Sequence, residues 1–202
     1  MNKTALSLLC GVSLCAALSA CDSKTSANEK NFGEAVSQYF DKKGEMCIDP
    51  IQWPVDVYET DMRQQKLYPD NVAGQMSALE SVGFARGEDA EAGSVKVRRY
   101  VMTDAAQPWL RTPPGRKPRL CWGRKSLSKV LRWADPRKVR GVEESSVIYT
   151  FQLSNVAPWA RQPKIKEAFP ELGRNVDGER KEKEKLYVKL TPNGWEALGL
   201  ND

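Results

Sequence analysis

Val147-Ile148-Tyr149-Thr150-Phe151-Gln152-Leu153 decides the fold class. Most of these residues are β-branched or aromatic, and no Gly, Pro, Asn or Asp interrupts them, so the stretch predicts the strongest strand of the chain. Toward the C-terminus a charged run at 179–185 leads into a last strand over 186–190. Asn193-Gly194 then turns the chain into Trp195-Glu196-Ala197-Leu198. Toward the N-terminus, 120–123 and 129–133 read as short strands able to pair as a hairpin, and 95–102 as a further strand followed by a helical turn at Thr103-Asp104. Helical spacing appears in three other places. Phe32, Val36, Tyr39 and Phe40 share one face of 32–43, with Gly44 as the stop. Met76, Leu79 and Val82 point inward from 72–81, with Gly83 as the stop. Ile165, Phe169 and Leu172 do the same over 163–172. Pro50, Trp53 and Pro54 mark 47–61 as loop or irregular strand, and the small, acidic 87–93 predicts an exposed loop. The class is α+β, an antiparallel sheet with flanking helices.

Within the first half, Gln75-Met76-Ser77-Ala78-Leu79-Glu80-Ser81-Val82-Gly83-Phe84, a loop, and Arg99-Tyr100-Val101-Met102-Thr103 together resemble a winged helix. In that family a helix stops at Gly followed by an apolar residue, and two wing strands lead into a Tyr-x-Leu-Thr motif. The resemblance covers about 80 residues of the chain and implies winged-helix-like packing there, a statement about scaffold and not about ligand.

The 202 residues are 41% apolar and 28% charged, enough to bury a core without metal. Histidine is absent, which removes Ser-His-Asp and Cys-His catalysis and every His-containing metal site. Residues 1–20 read as a signal peptide, with Lys3 in a positive n-region and a mostly apolar stretch over 6–18. That stretch is shorter than the roughly 20 residues of a permanent membrane helix. It ends in Leu18-Ser19-Ala20-Cys21, which resembles the lipobox of bacterial lipoprotein precursors. Cys10 and Cys15 each follow a leucine, where processing needs a small residue.

The resemblance implies a diacylglycerol on the Cys21 thiol, cleavage before it, and a further acyl chain such as palmitate on the new amine. Two or three chains hold a protein on a membrane for good. Asp22 resembles the enteric signal for inner-membrane retention and favours that membrane, with the outer membrane left open. Residues 21–31 carry nothing large and apolar and read as a flexible tether. Ten extended residues span at most about 35 Å. Residues 32–202 then form a single α+β domain, with 112–118 as a candidate sub-boundary. As a whole, the mature part resembles proteobacterial lipoproteins to which no activity attaches.

After processing and lipidation, Cys47 and Cys121 remain. Two cysteines in an exported domain read as one disulfide, worth roughly 4 kcal/mol for a loop of that length. The alternatives are a free buried thiol or a catalytic cysteine, and neither histidine nor Cys-x-x-Cys spacing supports the latter.

Charge is uneven. Residues 22–100 carry 10 basic and 14 acidic side chains, and 101–140 carry 11 basic and 2 acidic. Arg116, Lys117, Arg119, Arg124, Lys125, Lys129 and Arg132 are the candidate anion-binding residues, with Trp122 and Trp133 as candidate aromatic contacts. A basic, aromatic stretch in the cytosol would suggest nucleic acid. An exported protein meets none, so the available anions are envelope lipids and polymers, or acidic faces of proteins. The equally weighted alternative is a solvated basic face.

A faint echo at an offset of 50 residues, Pro108-Trp109-Leu110-Arg111 and Pro158-Trp159-Ala160-Arg161, reads as a strand-to-helix corner that buries a Trp. Neither a phosphate-binding glycine loop nor a Gly-x-Ser-x-Gly elbow occurs. The carboxylate pairs Glu143-Glu144 and Asp89/Glu91 fall in polar stretches. No catalytic residue, cofactor or metal is expected. The expectation is a non-catalytic lipoprotein on the periplasmic side of a Gram-negative envelope, attached by a covalent lipid and serving as an interaction module for an envelope protein. The alternative is a binder of an anionic envelope polymer or lipid through 111–140.

Overall fold

The computed structural model describes residues 23–201; Cys21 and the lipobox lie outside them. The fold is α+β, as expected. Asn28 caps the first helix, α1 (Glu29–Lys43), by accepting the Asn31 N–H at 2.8 Å, and Phe32, Val36 and Phe40 form the buried stripe. Gly44 ends α1, though not through a left-handed turn, since its φ is −79°. Glycine is needed there for close approach: a Cβ would run into the carbonyl oxygens of Phe40 and Lys125. Gly44→Ala is therefore expected to cost about 1–3 kcal/mol, as overpacking does, read from a urea midpoint. An unchanged midpoint would mean that the helix end relaxes freely.

A short strand β1 (Glu45–Cys47) follows, then β2 (Val55–Tyr58) and two helices, α2 (Glu59–Gln64) and α3 (Val72–Ser81). Met76 and Leu79 of α3 are buried, and Gly83 (φ +79°) takes the turn that an L side chain resists. The chain then enters β3 (Ala85–Ala92) and β4 (Val95–Met102). Here the expected loop at 87–93 is corrected to a strand. Its acidic residues lie opposite cations of β4, Glu88 by Arg99, Asp89 by Arg98 and Glu91 by Lys96, and such cross-strand pairs stabilise a strand that propensity disfavours. Gly93 (φ +66°) opens the two-residue turn. The three strands order as β2-β4-β3. A helix followed by an antiparallel pair of strands is thus present.

A 3₁₀ turn over Asp104–Trp109 and β5 (Leu110–Arg111) lead to β6 (Arg119–Trp133), 15 residues long. The hairpin expected at 120–133 does not form. The segment 124–128 holds no Gly, Pro, Asn or Asp to reverse the chain; 120–123 pairs with β1 and β5, and 124–133 with β8 (Val142–Ser154), with register shifts at 127–129 and 130–132 absorbing the irregularity. Between them, β7 (Arg137–Val139) pairs with β8 across Arg140-Gly141, both at positive φ.

The helix expected over 163–172 is two helices, α4 (Pro163–Ala168) and α5 (Pro170–Gly178), broken at Phe169. Proline supplies no N–H and pushes its predecessor out of helical geometry. Ile165 and Leu172 are buried as expected. The chain closes with β9 (Lys183–Thr191) and β10 (Gly194–Ala197). The large sheet orders as β1-β6-β8-β9-β10, with β5 beside β6 and β7 beside β8.

Two apolar cores result. One, around Phe32, Phe151, Val147 and Val188, lies between α1 and the large sheet; the other gathers Met76, Leu79, Trp122 and Ile165, and Leu153 packs on both. Trp109 and Trp159 meet in the second core with ring centroids 6.4 Å apart. Each sits at a strand-to-turn corner, as the echo predicts.

The expected tether is also corrected. The Trp195 indole N–H lies 3.2 Å from the carbonyls of both Thr25 and Ser26, and the Asn31 amide donates to the carbonyls of Ser23 and Ser26 at 2.8 Å. From Ser23 onward this polar segment is docked on the edge strand β10, because its backbone acceptors satisfy a buried indole and a buried amide.

Candidate functional site

The basic stretch divides into three places. Arg116 and Lys117 stand in the exposed turn before β6, where Lys117 reaches Gln52, and Arg119 begins β6 with a buried Nε that has no hydrogen-bond partner. Arg124 and Lys125 are structural. The Arg124 guanidinium donates to the carbonyls of Phe40 (3.0 Å) and Asp41 (2.6 Å), serving the acceptor-rich C-terminal end of α1.

Lys125 is only 7% exposed. Its Nζ lies 2.7 Å from Glu184 Oε1 and 4.0 Å from the centre of the Phe151 ring. The other Glu184 oxygen accepts the Tyr149 hydroxyl at 3.0 Å. Burial first, and then the Glu184 charge, push the Tyr149 phenol far above its ordinary range, so it stays protonated and donates. Lys125 is thereby withdrawn as an anion-binding residue. Trp122 is likewise withdrawn as a contact, being 2% exposed in the core. Trp133 stays partly exposed, with its ring 5.5 Å from that of Phe32.

Lys129 and Arg132 are exposed on β6, and the sheet gives them new neighbours. Residues in register across antiparallel strands point to the same face. One row reads Lys129–Thr150–Lys183 and the next Arg132–Ile148–Lys185. Tyr149, Phe151, Val147 and Val188 face the α1 core, so these rows form the opposite face. On it Lys129, Arg132, Lys183 and Lys185 are exposed, and none of the four is held in an ion pair among the described residues.

Strand spacing puts the four cations at the corners of a frame roughly 10 by 7 Å, with Ile148 and Thr150 inside it. Tyr187, 56% exposed, adjoins the frame, and the Lys185 ammonium lies 5.7 Å from its ring centre. The row beyond alternates in sign, Arg137–Glu144–Lys189–Glu196. Excess positive charge therefore ends on that side of the frame, while on the other side Arg180, which donates to Gln152 at 3.1 Å, continues it.

Lys183, Lys185 and Tyr187 are functional candidates that the charged-run reading missed. The alternation Lys183-Glu184-Lys185-Leu186-Tyr187-Val188 is the signal that places them on one face.

Elsewhere, Cys47 and Cys121 face each other across β1 and β6 and are bonded to each other, as expected. Glu45 lies beside them, but joined thiols do not ligate a metal. A groove of about 400 Å³ beside this bridge is lined by Met46, Ile48, Ile51, Met76, Phe169 and Leu172. Its charged lining residues are Asp49 and Glu171, with no basic or nucleophilic side chain beside them. Asp56 and Arg99 make a two-pronged ion pair at 2.6 and 2.7 Å, whose hydrogen bonds hold the Asp56 carboxyl below its usual range. This pair joins β2 to β4 and faces no cavity chemistry.

No family model, curated protein or solved structure matches the chain. No enzyme family is thereby identified. Among the described residues, no helix is long and apolar enough to cross a membrane.

Proposed function

We propose that this protein is a non-catalytic binding module of the bacterial cell envelope, attached by a lipid on Cys21, whose working surface for anionic ligands is the open face of the large sheet. The carrying observation is the frame of Lys129, Arg132, Lys183 and Lys185, four exposed cations without carboxylate partners among the described residues. Unmatched charge grouped on one face is a recognition surface for the opposite charge. It favours the anionic-ligand reading over an apolar protein interface, and moves it from the stretch 111–140 to cations on two strands, β6 and β9, that flank β8. The winged-helix-like unit serves as scaffold in this reading.

Two measurements test it. Cys21→Ala is expected to release the chain from membranes in cell fractionation; unchanged attachment refutes the anchor. With polyphosphate as probe, Lys183→Glu/Lys185→Glu is expected to weaken binding about tenfold or more, since each cation near a polyanion contributes about 1 kcal/mol. Arg116→Glu/Lys117→Glu, off the face, is expected to change it far less. Equal losses in the two variants would mean that net charge, and not the face, binds.

A further inference from the structure

We propose that this cationic sheet face lies on the anionic phospholipid headgroups of the bilayer that carries the anchor, so that the body is oriented on the membrane rather than swinging from it. The inference rests on the proposed function and adds the ligand's identity as a class. Its first support is the docked N-terminal segment. Trp195 holds Thr25 and Ser26, Asn31 holds Ser23, and Lys24 lies against Gly194. Free reach therefore ends at Ser23. Only Asp22 separates it from Cys21, two residue steps that span at most about 7 Å. A lipid on Cys21 would keep Ser23, and with it the start of the docked segment, within that distance of the headgroups, in place of the 35 Å radius of an undocked tether.

The second support is adjacency. The anchoring segment sits on β10, β10 pairs with β9 from Gly194↔Thr191 onward, and β9 carries Tyr187, Lys185 and Lys183. The attachment meets β10 opposite the Thr191 end of β9, so along that strand the face begins at Tyr187, roughly 13 Å away, and its lysines follow at roughly 20 and 27 Å. The third is chemistry. An exposed tyrosine beside lysines suits the headgroup region, where an aromatic ring with a polar tip and cations on aliphatic stems both settle. The bilayer is the polyanion that this geometry brings within reach, and its charge complements the frame.

The test uses the full chain, purified from membranes with its lipid and returned to vesicles. One set is phosphatidylcholine alone; the other has equal parts of phosphatidylcholine and phosphatidylglycerol. An amine-reactive label reads each lysine by mass spectrometry. Labelling of Lys129, Lys183 and Lys185 is expected to fall about fivefold on the anionic vesicles and to recover at high salt, while Lys66 and Lys117 label alike on both. Equal labelling of the face lysines on both vesicles overturns the inference. If polyphosphate protects those lysines while anionic vesicles do not, the face takes a soluble polyanion: this inference falls and the proposed function stands. Failure of the protein to float with neutral vesicles refutes the anchor, and both readings with it.

Discussion

Cys47→Ala/Cys121→Ala is expected to lower the unfolding free energy by roughly 4 kcal/mol, the largest loss from any change outside the core. The bridge closes a loop with a sequence separation of 74, and loop-closure entropy of that length gives this figure. A domain of this size has a margin of only about 5–15 kcal/mol, so the variant should unfold at a much lower urea concentration. The position of the bridge adds to the argument. It ties β1 to β6, so the enclosed loop holds β2 through β5 with α2 and α3. Without it, that unit is held to the large sheet by packing, the short β5–β6 ladder and the Ile48–Leu120 backbone hydrogen bond. Urea unfolding of the oxidised and reduced wild type is the check, with the double variant as a reductant-insensitive control. Coincident midpoints would show that the bridge leaves the unfolded chain no less free, contrary to the entropy argument.

The parts of the fold that could be read locally are those whose own residues insist on one state. Val147 to Leu153 carries its strand in its side chains, and α3 carries its helix in the spacing of Met76 and Leu79. The segment Ala85–Ala92 does neither. It is a strand because β4 offers a ladder and arginines, a cause lying outside its residues. The docked N-terminal segment is a second case. Polarity over 22–31 predicts solvation, yet its carbonyls are what Trp195 needs, 170 residues away.

The candidate site was partly legible for the same reason. Lys129 and Arg132 stand out by local charge density, but Lys183 and Lys185 join them only once β8 and β9 pair. Lys125 looked identical to its basic neighbours in sequence. Its burial follows from a register that brings Glu184 to it, 59 residues on. Charge density therefore located half of the surface and could not separate a structural lysine from a free one.

That distinction leads to the second large effect. Glu184→Ala is expected to cost about 3 kcal/mol, because it leaves the Lys125 ammonium buried without a counter-charge. The figure sits at the low end of the range for broken buried pairs for two reasons: the Glu184 side chain is 29% exposed, and Glu171 and Glu182 line the same small cavity. Either neighbouring carboxylate can supply part of the missing charge. Lys125→Met is expected to cost less, about 1 kcal/mol, since a partly exposed Glu184 can be hydrated and still accepts the Tyr149 hydroxyl. The double variant Lys125→Met/Glu184→Leu should recover most of the loss, as an apolar replacement of a buried pair commonly does. A coupling energy above about 1 kcal/mol in the urea-unfolding cycle is the expected result. Additive single effects would mean that Lys125 is neutralised by something other than Glu184. The same cycle separates the two kinds of lysine on this sheet: Lys183→Glu/Lys185→Glu should leave stability within about 0.5 kcal/mol while weakening polyanion binding about tenfold or more, and Lys125→Met should weaken the fold while leaving that binding intact.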